Sequence, residues 1–162
     1  MTDFKGLLKA LVASESRVLL VGGVAATVHG SSRLTVDVDV VYERSQENLE
    51  RLVLALASHS PYLRGAPPGL PFRWDAETLR RGLNFTLTTD LGDLDLLGEI
   101  PGGGGYGDLI PHTVEVTVFG QTLPCLDLPT LIRVKRAAGR PKDLETLADL
   151  EVLMEGGAGS EE

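Results

Sequence analysis

The stretch of sequence that decides the fold is VGGVAATVHGSSRLTVDVDV, which runs from Val21 to Val40. The apolar run before it, Arg17–Val21, predicts a short buried strand. A glycine pair interrupts that run, and the residues that follow, Val24–His29, predict a helix that ends at Gly30. Acids then alternate with valines within Thr35–Tyr42, which is the period of a strand. A strand, a glycine turn, a helix and an acidic strand therefore follow one another.

The acidic strand carries two aspartates, Asp37 and Asp39, that face the same side of it. Their Cα atoms are expected to lie about 6.5–7 Å apart, while Val36, Val38 and Val40 face the core. Two neighbouring carboxylates repel each other unless a cation neutralises them, and oxygen ligands suit Mg²⁺ or Mn²⁺. The alternative is an ordinary solvated strand face, on which alternating acids are common.

A second acidic strand is predicted in GDLDLL, residues 92–97, which carries Asp95 and also Asp93 on one face. If it lies beside the first, Asp95 completes a carboxylate cluster for two divalent ions. Two such ions hold the attacking and leaving oxygens of a phosphoryl or nucleotidyl transfer. The local pattern does not separate Asp93 from Asp95, and a polar strand end is the alternative.

Four further residues are candidates for phosphate contacts. Gly22 and Gly23 lie between a strand and a helix, where backbone N–H groups approach an anion closely; a plain tight turn is the alternative. Arg33, in the loop before the acidic strand, suits bidentate contact with a triphosphate, or is an exposed loop arginine. Lys135 shares a helix face with apolar residues and either neutralises a triphosphate or extends from a packed helix into solvent.

The rest of the chain predicts a mixed α/β fold with helices concentrated at both ends. The predicted helices are Phe4–Ser14, a segment capped by Ser45, Asp75–Arg81, Leu128–Ala138 and a segment that begins after Pro141. The predicted strands are Asn84–Thr88, Asp93–Leu97 and a hairpin of Thr113–Phe119 with Gln121–Leu126. Pro61–Pro71 is predicted as an irregular connection and Gly102–Gly105 as a flexible loop. We expect one domain over residues 1–155 and a flexible tail over residues 156–162.

Composition excludes several classes of protein. The chain has 162 residues, a net charge of −8 and one cysteine, Cys125, which excludes an intrachain disulfide framework and a multi-cysteine zinc site. The longest apolar stretch, Val18–Val28, is too short to span a bilayer, and no targeting segment is visible, so we expect a cytoplasmic protein without membrane contact. The acidic balance opposes non-specific attraction to nucleic acid, although five of the 15 basic residues fall within residues 133–142.

The order of these parts resembles the polymerase-β-like nucleotidyltransferase superfamily, in which a pair of small residues is followed by two aspartates. Here 13 residues separate the glycine pair from the first aspartate. Within that superfamily, the sequence resembles more closely the small bacterial AbiEii-like nucleotidyltransferases of toxin–antitoxin type. The similar blocks are Val21–Val40, Leu91–Glu99 and Leu131–Leu153, so the resemblance extends over most of the chain from Arg17 onwards.

The resemblance implies a mixed β-sheet flanked by helices and a role for each matching residue. It implies that Gly22 and Gly23 hold the triphosphate of an NTP such as ATP, and that Asp37 and Asp39 bind both Mg²⁺ (or Mn²⁺) ions. Asp95 would be the third carboxylate, which orients or deprotonates the acceptor hydroxyl. One departure is that glycine stands at the second position of the pair, where many members have serine.

The sequence therefore predicts a metal-dependent nucleotidyltransferase that moves an NMP group from an NTP to a hydroxyl and releases pyrophosphate. The acceptor stays open among a tRNA or other RNA 3′ end, a side chain of a partner protein, and a small molecule such as an antibiotic. The alternative from another class is a toxin–antitoxin component that acts mainly as a protein-binding module. A homodimer and a toxin–antitoxin complex are both compatible with the sequence.

Overall fold

The computed structural model describes the backbone of residues 1–160 and the side chains of residues 1–156. Its first elements are helix α1 (Phe4–Ala13), strand β1 (Val18–Val21), helix α2 (Gly22–Val28), strand β2 (Asp37–Tyr42) and helix α3 (Gln46–Leu56). The predicted order of strand, glycine pair, helix and acidic strand is confirmed. The predicted cap is confirmed as well, because the Ser45 side chain accepts a hydrogen bond from the backbone N–H of Asn48 at the start of α3.

The remaining elements follow in chain order. They are β3 (Tyr62–Leu63), α4 (Ala76–Arg81), β4 (Asn84–Thr89), β5 (Gly92–Leu97), β6 (Glu99–Ile100), β7 (Gly104–Gly105), α5 (Tyr106–Leu109), a 3₁₀ turn (Ile110–His112), β8 (Thr113–Val118), β9 (Gln121–Leu126), α6 (Leu128–Ala138) and α7 (Pro141–Ser160). The predicted helices and the predicted hairpin are therefore present.

Within residues 1–160, seven strands form one mixed sheet in the order β3-β4-β5-β2-β1-β9-β8. The acidic strand β2 lies in the middle of this sheet, parallel to β5 and antiparallel to β1. β1 is in turn parallel to β9, and the remaining pairs are antiparallel. The predicted fold class, a mixed sheet flanked by helices, is confirmed.

The core lies on the apolar faces of the central strands. Val38 and Val40 of β2 are fully buried, as are Leu94 and Leu96 of β5 beside them. The prediction that Val36 also faces the core is wrong, since its side chain is 72% exposed. Pairing with β5 begins only at Asp37, so Val36 lies outside the ladder.

Three predictions about local structure differ from what the structure shows. Helix α2 begins at Gly22 itself rather than at Val24, because a glycine at φ +69° turns the chain directly from β1 into the helix. The segment Pro61–Pro71 is not wholly irregular, since β3 lies within it and pairs with β4 at the sheet edge. The flexible loop predicted over Gly102–Gly105 is in part a strand, since Gly104 and Gly105 form β7 and pair with β6 in a small second sheet.

The last helix, α7, extends to Ser160, and residues 161–162 lie outside the described part of the chain. The flexible tail predicted for residues 156–162 falls on the end of this helix and on those two residues, and it stays a prediction. Among the described helices, none has the length and apolar character needed to cross a membrane.

Candidate active site

The register of two parallel strands brings the predicted aspartates together. β2 pairs with β5 so that Asp37 lies opposite Asp93 and Asp39 opposite Asp95. Alternate residues share a face, so all four carboxylates emerge on one side of the sheet. Asp37, Asp39 and Asp95 each offer an oxygen within 4.8 Å of the others, which is close enough for one cation to contact all three. This group of three is the carboxylate cluster.

Asp93 stands apart from the carboxylate cluster. It is the second residue of β5 and lies opposite Asp37. Its side chain is 35% exposed, whereas the side chain of Asp95 is 20% exposed. The sequence left the choice of third carboxylate open between these two residues, and the geometry groups Asp95 with the first pair.

The carboxylates of the cluster repel one another in a poorly solvated place. Burial, the charge of Asp37 and a hydrogen bond with Asp95 together raise the pKa of Asp39 to about 8, and burial contributes most. Burial also raises the pKa of Asp37, with the charge of Asp95 acting in the same direction. Without a cation, the carboxylate cluster therefore retains a proton near neutral pH.

Three buried atoms at this site have no hydrogen-bond partner among the described residues: Asp39 Oδ1, Asp95 Oδ1 and Arg64 Nε. Buried carboxylate oxygens normally accept a hydrogen bond or bind a cation. Several oxygen atoms at close range are the ligands that Mg²⁺ and Mn²⁺ prefer. The residues present therefore fit a divalent cation.

The glycine pair touches the acidic strand and the loop before it. A Cβ on Gly22 would lie 2.8 Å from the Cβ of Asp39, and a Cβ on Gly23 would lie 2.7 Å from the Cβ of Thr35. Any larger residue would push the start of α2 away from the carboxylates. The glycine pair therefore forms a tight turn and also brings its backbone close to the carboxylate cluster.

An ion-pair network around a buried carboxylate faces the carboxylate cluster from the C-terminal helices. Lys135 on α6 is 11% exposed, and its Nζ lies 3.4 Å from Oδ1 of Asp143, which is fully buried on α7. Arg140 donates to the same carboxylate, with Nε 2.6 Å from Oδ2. Burial acts to raise the pKa of Asp143, but the hydrogen bond from Arg140 and the charge of Lys135 outweigh it and lower the pKa. The network fixes two cations beside Asp39.

Arg33 lies on the rim of the site. Its Nε is 2.9 Å from Asp149 and its Nη1 is 3.4 Å from Glu145, both on α7. The side chain is 45% exposed. The predicted phosphate contact and the predicted exposed position are compatible with this placement, because surface ion pairs of this kind exchange easily.

Two cavities open on either side of Asp39, and they share Asp39, Lys135 and Arg140. The basic cavity has a volume of about 460 Å³, and Arg33 and Lys142 join the shared cations in lining it. The apolar cavity has a volume of about 320 Å³. Its apolar walls are Val21, Leu97, Ile100, Pro101, Val134 and Ala138. Besides the three shared residues, Asn84, Glu99 and Asp143 are its polar lining residues. The carboxylate cluster therefore borders two compartments of different chemistry.

Sequence reasoning missed Arg64, which contacts the acids from the edge of the sheet. Its Nη2 lies 2.9 Å from Asp95 Oδ1, its Nε 3.5 Å from Asp93 and its Nη1 3.7 Å from Asp37. Nη2 also donates to the carbonyl of Leu87 at 2.7 Å. A single arginine in a proline-rich segment carries no local signal of such a contact.

No protein-family model matches this chain, and no curated protein matches it. Among solved structures, it is similar to the lincomycin-bound crystal structure of the lincosamide antibiotic adenylyltransferase LnuA, with a TM-score of 0.60 and 15% sequence identity. The similarity covers 94% of this chain and 98% of that one. At this identity the comparison shows the fold, which is of the nucleotidyltransferase type. The AbiEii-like subfamily stays a prediction.

Proposed function

We propose that this chain is a metal-dependent nucleotidyltransferase that moves an NMP group from an NTP to a hydroxyl of a small molecule. The observation that carries the proposal is the carboxylate cluster, whose oxygens lie within 4.8 Å of one another on adjacent strands. The fold shared with an adenylyltransferase supports it. A cytoplasmic location, a homodimer and a toxin–antitoxin complex stay predictions.

Asp37 and Asp39 hold the divalent cations in this proposal, because their oxygens are close together and Asp39 Oδ1 has no hydrogen-bond partner among the described residues. Bound Mg²⁺ or Mn²⁺ would neutralise phosphate charge and polarise the acceptor hydroxyl. Asp95 orients that hydroxyl and accepts its proton. The acceptor oxygen forms a bond to the α-phosphorus, the bond from that phosphorus to the bridging oxygen breaks, and pyrophosphate leaves.

The basic cavity is the compartment for the triphosphate. Four basic residues, Arg33, Lys135, Arg140 and Lys142, line it together with Asp37 and Asp39. Arginine and lysine bind phosphate oxygens through charge-assisted hydrogen bonds. Gly22 lines the apolar cavity and Gly23 lines the basic cavity, so the backbone of the glycine pair borders both compartments.

The apolar cavity is the compartment for the acceptor. Its volume of about 320 Å³ lies within the range of small-molecule pockets. The walls exclude water from an apolar body, and Glu99 and Asn84 offer hydrogen bonds at the polar end of the acceptor. The named function of LnuA, adenylyl transfer to a lincosamide antibiotic, is an example of this class of acceptor. An RNA 3′ end and a protein side chain are the other outcomes of the test.

Label transfer tests the proposal. Purified protein, Mg²⁺ and each α-labelled NTP in turn are mixed with hydroxylated antibiotics including lincomycin, with total RNA, or with extract proteins. We expect label in a small-molecule fraction, and none with the Asp37→Ala/Asp39→Ala variant. Absence of transfer with every NTP, in Mg²⁺ and in Mn²⁺, would contradict the proposal and favour the protein-binding module, whose partner binding would survive loss of both aspartates.

Filling the apolar cavity should separate acceptor binding from nucleotide binding. Ala138 lines that cavity but not the basic one, so Ala138→Phe is expected to raise the acceptor KM at least about tenfold while the Kd for NTP stays unchanged. Steady-state kinetics and calorimetric NTP binding measure the two quantities. Ala57→Phe, at the exposed end of α3, is the matched control. A weakened NTP affinity in Ala138→Phe would instead assign the nucleoside to this cavity.

A further inference from the structure

The arginine among the acids, Arg64, has no role in the function proposed above. We propose that Arg64 is an internal counter-ion of the carboxylate cluster, and that a divalent cation must displace its guanidinium from Asp95 in order to bind. This inference rests on the proposed metal site. It makes metal loading a competition within the protein, with the segment that carries Arg64 as the competing element.

The contacts of Arg64 are those of a cation shared by several acids. Three of its nitrogens lie 2.9 to 3.7 Å from Asp95, Asp93 and Asp37, so its one positive charge is shared among three carboxylates. The shortest of these contacts is to Asp95 Oδ1, on one of the three carboxylates of the cluster. A second cation near that oxygen would repel the guanidinium, because like charges a few ångströms apart in a poorly solvated place interact strongly. The two cations therefore exclude each other.

The hydrogen bonds of Arg64 are incomplete, which makes the guanidinium displaceable. Nε is buried without a hydrogen-bond partner, and Asp95 Oδ1 also lacks one although Nη2 lies 2.9 Å away, because the angle is unfavourable. The well-formed bond of this side chain goes to the carbonyl of Leu87 on β4, a neutral acceptor. Arg64 thus neutralises the acids without satisfying their oxygens, and a divalent cation with flexible oxygen coordination satisfies them better.

The backbone around Arg64 permits this exchange without disruption of the sheet. β3 is a two-residue edge strand, and the Arg64 N–H continues its pairing by donating to the carbonyl of Thr86 at 3.0 Å. The Arg64 side chain is 27% exposed, so it already borders solvent. It can therefore turn towards solvent while its Cα stays fixed.

Metal affinity of a charge variant tests the proposal directly. Arg64→Met keeps the apolar stem and removes the charge, and we expect it to bind Mn²⁺ about tenfold more tightly than the unmodified protein, as measured by electron paramagnetic resonance. Arg64→Lys should bind with intermediate affinity. Arg17→Met is the matched control: it removes the same charge, but Arg17 pairs with Glu43 and contacts none of the cluster. Its Mn²⁺ affinity should equal that of the unmodified protein.

The outcomes are distinguishable from failure of the proposed function. Mn²⁺ binding that requires Asp39 but is equal or weaker in Arg64→Met overturns the counter-ion role and leaves the metal site intact. Mn²⁺ binding that is absent, or indifferent to Asp39→Asn, overturns the metal site and with it this inference. A circular-dichroism melt of each variant verifies that it is folded, and Arg64→Lys decides the question if Arg64→Met does not fold.

A spectroscopic measurement follows the guanidinium itself. The Arg64 Nε–H resonance is assigned by its loss in Arg64→Lys, and Mg²⁺ is then titrated into the ¹⁵N-labelled protein. We expect this resonance to shift with the same midpoint as Mg²⁺ binding in the unmodified protein and to stay in place in Asp39→Asn. A resonance that does not move while Mg²⁺ saturates the site overturns the displacement.

Discussion

Asp39→Asn is expected to lower the rate of nucleotidyl transfer by at least about 10²–10³-fold while the protein stays folded. Asp39 borders both cavities and supplies one of the three clustered oxygens, so its charge acts on every charged group of the reaction. The asparagine oxygen retains the shape but not the charge that holds a divalent cation. Label transfer to the acceptor that the test under Proposed function identifies measures the loss.

The same variant should be more stable than the unmodified protein in metal-free buffer. The pKa of Asp39 is about 8 in the folded state and ordinary, near 3.8, in the unfolded state. Between those pH values only the folded state binds this proton, so stability falls as the pH rises, and above about pH 8 the full cost remains. Asparagine carries no charge at any of these pH values and avoids the cost.

We therefore expect the Tm of Asp39→Asn in EDTA to exceed that of the unmodified protein by at least about 3 °C at pH 8.5, with a smaller difference at pH 5. Glu115→Gln, at an exposed position of β8, removes the same charge away from the site and serves as control. A Tm of Asp39→Asn below that of the unmodified protein, with transfer retained, would make Asp39 a structural acid and contradict both expectations.

The sequence was sufficient to predict the acidic face of β2 because side-chain alternation is a local property of a strand. Val38 and Val40 are buried and Asp37 and Asp39 face the other way, as the pattern predicts. The error at Val36 marks the limit of that argument. Periodicity gives the face of a residue within a strand, but the residue at which pairing begins depends on the partner strand, here β5.

The pairing of the two acidic strands was assumed as a condition for the carboxylate cluster. No local pattern in the sequence predicted it. β2 and β5 are parallel neighbours although the chain between them contains α3, β3, α4 and β4. Nothing in either strand alone specifies that pairing, since it depends on how the intervening helices cover the sheet. The resemblance to nucleotidyltransferases supplied the expectation that the local pattern could not.

Arg64 was missed for a related reason. Four prolines within residues 61–71 indicate an irregular connection, which hides the two-residue strand β3. That strand matters because it pairs with β4, the direct neighbour of β5, and so carries Arg64 to the acids across two strands. Such a contact is a property of sheet order, and sheet order is not encoded in any one segment.

Asp143→Ala is expected to destabilise the protein by about 3 kcal/mol, because it leaves a buried cation without a partner. Asp143 is fully buried and Lys135 is 11% exposed, so water in the two adjoining cavities replaces the lost carboxylate at Lys135 only in part. The lowered pKa of Asp143 also indicates that its ionised carboxylate stabilises the folded state. This stabilisation is present at neutral pH and is lost only as the pH falls through the lowered pKa. Thermal unfolding at pH 7 should show a Tm lower by roughly 6–12 °C.

Asp149→Ala provides the matched control on the same helix, because Asp149 pairs with Arg33 at the surface and should contribute less than about 1 kcal/mol. Adding Lys135→Met to Asp143→Ala should recover part of the lost stability, since the unpaired charge is then gone. A Tm of Asp143→Ala equal to that of Asp149→Ala would show that solvent reaches Lys135 and that Asp143 does not fix it. If Asp143→Ala loses stability as expected, Asp143 holds Lys135 and Arg140 beside Asp39 through its ion pairs. The same ion pairs then stabilise the fold and position the two cations for the proposed triphosphate.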